Sequence, residues 1–90
     1  MEILIHRRNT IDDLKVTSKE FGIEVDIRSY KEKLILQHDP FKKGDYFEDW
    51  IKYYQHGTLI LNVKEEGLEN KILDLLSINN INSFFFLDQS

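Results

Sequence analysis

Residues 23–28 read Ile23-Glu24-Val25-Asp26-Ile27-Arg28, and this stretch decides the fold. Apolar and charged residues alternate without a break, so an extended chain puts Ile23, Val25 and Ile27 on one face and Glu24, Asp26 and Arg28 on the other. It is the strongest strand signal in the chain. Upstream, Ile3-Leu4-Ile5 is a short apolar run that stops at His6-Arg7-Arg8 and reads as a buried strand with a polar C-terminal end. Thr10 and Asp13 form a capping pair, so a helix is expected to start near Thr10, present Ile11, Leu14, Ser18 and Phe21 on one face, and end with Gly22 as its C' residue.

Downstream, Ser29-Tyr30-Lys31-Glu32 reads as a polar turn, and residues 33–38 form a second extended run ending at His38-Asp39-Pro40. Asp45 and Glu48 form another capping pair, after which Phe47, Trp50, Ile51 and Tyr54 recur at helical spacing. That predicts a helix over 46–54, closed by Gly57. Residues 58–64 read as a strand. Leu68, Ile72, Leu75 and Leu76 form the stripe of a third helix that Asn79-Asn80 should end, and Phe84-Phe85-Phe86-Leu87 is a continuous apolar run of the kind covered on both faces. The alternation of strands and helices implies an α/β chain with a parallel sheet and right-handed crossovers. Four strands with three helices amount to about half of a TIM barrel. The expectation is therefore one domain over residues 1–90, a truncated β/α barrel whose uncovered edges lead to self-association or await a missing C-terminal half-barrel.

Composition narrows the function. The chain has 90 residues, 41% of them hydrophobic, which is enough apolar material for a core and argues against a disordered tail. It contains no cysteine, so any metal must be held by oxygen or imidazole. A net charge of -4 lacks the basic excess that nucleic-acid binding uses to neutralise phosphates. No stretch approaches the ~20 apolar residues that cross a bilayer, and the N-terminal apolar run is too short for a signal peptide. The reading is a cytoplasmic protein with a small-molecule partner.

Glu24 and Asp26 stand two residues apart on one strand face, a geometry suited to a hard cation such as Mg²⁺ or Ca²⁺. Alone, such a pair is commonly a solvated sheet face. His6 and His38 end two further extended runs and can reach the same end of a parallel sheet, where two imidazoles flanking a metal-bound phosphate act as general acid and base in a metal-assisted hydrolysis. By contrast, His56 reads as a histidine at a helix end, Trp50, Phe47 and Tyr54 as the core face of a helix, and Lys42-Lys43 as a solvated loop.

Three blocks, Ile5-His6-Arg7 with Asn9-Thr10, then residues 22–28, then residues 34–40 ending in His38-Asp39-Pro40, together resemble the glycerophosphodiester phosphodiesterases. The resemblance covers most of the chain and implies a phospholipase-C-like phosphodiesterase barrel. It implies a hydrolase in which His6 and His38 are the acid/base pair, Glu24 and Asp26 bind a divalent cation, Mg²⁺ or Ca²⁺, and Arg7 contacts phosphate. The substrate it implies is a small phosphodiester. The chain also departs from the family. Arg8 stands where glycine is usual, the loop before Asn9-Thr10 is short, and Asn62-Val63-Lys64 replaces a segment that usually carries a metal-binding glutamate. Asn62 would then be a neutral third metal ligand and Lys64 a phosphate contact. The alternative these departures raise is a non-catalytic relative that binds a phosphate ligand or a protein partner.

Overall fold

The structure, a computed structural model, describes residues 2–87. Its elements are β1 (Leu4–Ile5), α1 (Ile11–Val16), β2 (Gly22–Tyr30), β3 (Lys33–Leu36), β4 (Asp45–Tyr46), α2 (Phe47–Trp50) continued by a 3-10 turn (Ile51–Tyr53), β5 (Leu59–Val63), α3 (Glu69–Ile78) and β6 (Phe84–Leu87). The strands form one six-stranded sheet in the order β4-β3-β2-β5-β6, with β1 beside the first half of β2. β1, β2, β5 and β6 run parallel, and the three crossovers between them contain α1, α2 and α3 in turn.

The chain is α/β as expected, but the all-parallel half-barrel is not what it forms. Lys31 and Glu32 both take positive φ, 49° and 67°. Two consecutive residues in that region make the tight turn that matches strand twist in a hairpin, and so short a connection joins only antiparallel strands. β3 therefore returns antiparallel along β2 (Ile27↔Leu36 to Tyr30↔Lys33), β4 adds antiparallel to β3, and the sheet is mixed.

One face of the sheet carries the core. Ile23, Val25 and Ile27 are fully buried there with Leu34 and Leu36 of β3 and Leu59, Leu61 and Val63 of β5, beneath Leu14, Phe47, Trp50, Ile72 and Leu76 from the helices. Phe84 and Phe86 pack against this core, but Phe85 and Leu87 are exposed, so β6 alternates and is not covered on both faces.

Three local expectations are corrected as well. α1 starts as expected, with Thr10 Oγ1 accepting from Asp13 N at 2.9 Å, but it ends at Val16. Thr17 ends it by turning extended while its own N–H donates to Leu14 O. Gly22 opens β2 instead of capping that helix. A Cβ there would lie 2.5 Å from the Leu4 side chain and 2.9 Å from the Thr58 carbonyl, so glycine is what lets β1 and the start of β5 close on β2. Asp45 does not cap α2; its Oδ2 accepts from Ile11 N at 2.7 Å and caps α1 across the fold.

Candidate active site

β1 and β3 pair with the same edge of β2 from opposite ends, and neither reaches its middle. β1 stops at Ile5↔Ile23, and β3 begins at Ile27↔Leu36. The unfilled stretch, residues 24–26, is where the chain leaving each strand converges. Arg8 N donates to Glu24 O, Asn9 Oδ1 accepts from Asp26 N, and Gln37 N donates to Asp26 O. Residues 6–9 and 37–38 are thereby fixed over the polar face of β2. Trp50 ties the first of these loops to the core by donating from Nε1 to Arg8 O at 3.0 Å.

The side chains follow from that frame. His6 Nδ1 lies 3.6 Å from Glu24 Oε1, which also accepts from Arg7 N at 3.0 Å. His38 Nδ1 lies 3.5 Å from Asp26 Oδ2. Arg7 Nη2 meets His38 Nε2 at 3.2 Å. A guanidinium only donates, so Nε2 must accept and the His38 proton belongs on Nδ1, facing Asp26. From the end of β5, Lys64 sets its Nζ 3.4 Å from Asp26 Oδ1, and Lys64 N donates to Ile27 O at 3.0 Å.

All seven residues expected from the sequence therefore stand on one side of the sheet or at its rim. Asn62, the register partner of Asp26, is in the same row. His6 is largely exposed, with a side chain 75% accessible, whereas Asp26 is 1% exposed and Glu24 8%. Burial of an ionised carboxylate costs several kcal/mol unless charges and donors replace water. For Asp26, Lys64 and the amide of Asn9 (Nδ2 to Oδ2, 3.1 Å) supply that replacement.

Asn9 and Arg28 have roles that sequence reasoning did not assign. Asn9 both donates to and accepts from Asp26, and Arg28 donates from Nε and Nη2 to the His38 carbonyl, holding the His38 loop down. The position of Asn9 just before the N-cap Thr10, where the chain is not yet helical, was the only local sign. Other readings resolve simply: His56 meets the Thr17 carbonyl at 2.9 Å, and Lys42 pairs with Asp39 on the surface.

No protein family, curated protein or solved structure matches this chain. Its site is therefore read from its own chemistry. The divalent ion expected at Glu24, Asp26 and Asn62 fits poorly as the side chains stand. Among the described residues, no three or more His, Cys, Asp or Glu side chains gather as a metal site. Both Asp26 oxygens are already engaged, Oδ1 by Lys64 and Oδ2 by the Asn9 amide, with His38 Nδ1 3.5 Å from Oδ2 and making no hydrogen bond among the described residues.

Proposed function

We propose that this chain cleaves a small phosphodiester, with His6 and His38 as the acid/base pair and Arg7 and Lys64 as the cations that receive the phosphate. The observation that carries the reading is the pairing of each imidazole with a buried carboxylate, His6 with Glu24 and His38 with Asp26, with two cationic side chains, Arg7 and Lys64, set against the second pair. A carboxylate behind an imidazole fixes its tautomer and stabilises the imidazolium formed when it takes a proton. An anionic diester competes for the Arg7 guanidinium, whose fork matches two phosphate oxygens. Arg7 then leaves His38 Nε2 free to accept a proton from the attacking hydroxyl or water. His6, protonated, gives its proton to the departing alkoxide as the P–O bond breaks. The resemblance to glycerophosphodiester phosphodiesterases supports the substrate class, with a polyol phosphate as one product.

The test is release of nitrophenol from bis(p-nitrophenyl) phosphate, together with phosphorus NMR of a glycerophosphodiester. His6→Ala and His38→Ala should each reduce the rate by about 10²–10⁴-fold, the usual weight of a positioned acid or base. A His38→Ala variant at full rate overturns the assignment. Saturable phosphate binding with no turnover of either compound would favour the non-catalytic ligand-binding reading.

A further inference from the structure

We propose that the Lys64 ammonium is the resident cation of this site, standing on Asp26 where a divalent ion would stand, and that the site holds phosphate without a metal. The proposal rests on the phosphodiester reading above and goes beyond it by naming what neutralises the acids. Lys64 leaves the end of β5 with its N–H bound to Ile27 O, so the sheet aims its stem along the polar face of β2. Its side chain is only 13% exposed, and its Nζ lies 3.4 Å from Asp26 Oδ1. A lysine on a free strand end keeps its strongly hydrated head in water. Here the head is drawn in to the most deeply buried acid of the described residues.

Coordination geometry points the same way. A hard divalent cation gathers six or more oxygens at about 2.0–2.6 Å, with carboxylates among them. Asp26 would have to give up Lys64 from one oxygen and Asn9 from the other to supply its share. The position across from it on β5 is Asn62, which brings no charge to pull an ion in. Charge balance agrees: Lys64 neutralises Asp26 directly, and the Arg7 guanidinium, held on His38 Nε2 while its backbone N–H donates to Glu24, brings a second positive charge to the same site. A bound diester adds one negative charge, which a single protonated histidine offsets.

The experiment titrates MgCl₂ and CaCl₂ into EDTA-treated, dialysed protein by calorimetry, and inorganic phosphate into the same protein with and without EDTA. Expected are no saturable heat for either metal and phosphate binding that EDTA leaves unchanged. In Lys64→Met, divalent binding should appear and should disappear again when Asp26→Asn is added. Metal-free phosphate binding should weaken by about tenfold or more, the loss of one charge-assisted hydrogen bond. Lys64→Gln serves as the second variant, with circular dichroism as the check of fold. Saturable Mg²⁺ or Ca²⁺ binding by the unsubstituted chain, removed by Asp26→Asn, overturns the proposal even if both lysine variants unfold. So does a folded pair of lysine variants that gain no metal. Diester cleavage seen only on adding metal defeats this proposal and leaves the diesterase reading standing. EDTA-insensitive phosphate binding without any cleavage does the reverse.

Discussion

Both faces of β2 bury side chains along residues 23–27, and they do so for different reasons. Ile23, Val25 and Ile27 are fully buried by apolar side chains from the helices, and their burial is itself favourable, about 1.5–3 kcal/mol for each side chain removed from water. Glu24 and Asp26, one residue away along the same strand, are buried beneath polar loops, and their burial is tolerated only because donors and cations replace the water they lose. Burial alone therefore does not tell core from site. The contacts that compensate it do.

The contrast breaks first at the core face. Ile27→Ala should cost about 2–5 kcal/mol of folding stability in a urea titration, because the cavity lies among fully packed neighbours. The folded fraction should keep its affinity for phosphate, since Ile27 points away from the polar face. A loss of phosphate affinity that persists at full folding would mean the two faces are coupled.

On the polar face, Lys64→Met strands a buried carboxylate and should cost roughly 3 kcal/mol, at the lower end for breaking a buried ion pair because Lys64 keeps some exposure. The double variant Asp26→Leu with Lys64→Met should recover most of that loss while phosphate binding stays weakened. A double-mutant cycle in denaturant is the measurement. Additive losses would show that the two side chains do not interact.

Tyr54 sharpens the comparison from the core side, because it is a buried residue with an ionisable tip. Its hydroxyl donates to the Gly57 carbonyl at 2.6 Å. Burial, and then the Glu2 charge, push its phenol well above the ordinary range. The unfolded phenol ionises near pH ~10, whereas the folded one keeps its proton to higher pH. Its stabilising contribution is therefore present below pH ~10 and falls as the pH rises beyond that. Thermal unfolding between neutral and strongly alkaline pH should show this decline, and Tyr54→Phe should flatten it at the expense of about 1 kcal/mol at neutral pH for the lost hydrogen bond. An unchanged alkaline slope in Tyr54→Phe would assign the loss to other groups.

The smallest effect is expected far from both faces, at the hairpin turn. Lys31 and Glu32 hold positive φ without being glycine or asparagine. Lys31→Asn with Glu32→Gly suits the turn better and should raise stability by about 1 kcal/mol. A decrease in the melting temperature would show that these side chains contribute more than their backbone strain costs.

Much of this was legible along the chain. Alternation in residues 23–28 placed the acids opposite the core, and the helical spacing of Ile72, Leu75 and Leu76 located α3. These are local periods of two and of 3.6 residues, which side-chain hydrophobicity records directly. The direction of β3 was not legible, because Lys31-Glu32 carries none of the glycine or asparagine that usually announces a reversing turn. The end of α1 is hidden for a similar reason: Gly22 has the pattern of a helix cap, whereas its role is to admit Leu4 and the Thr58 carbonyl. That role depends on residues distant in sequence.

The alternating strand, the helical stripes and the set of polar residues able to form a site belong to the sequence by itself, because each depends on neighbours a few positions away. Tertiary structure alone decided that β1 and β3 stop short of one another on β2, that His6 and His38 meet the acids in that gap, and that Lys64 rests on Asp26. The physical reason is that a buried carboxylate is satisfied by whichever donors the sheet brings within reach. For Asp26 those donors come from positions 17 residues before it and 38 after it, Asn9 and Lys64, a separation no local pattern encodes.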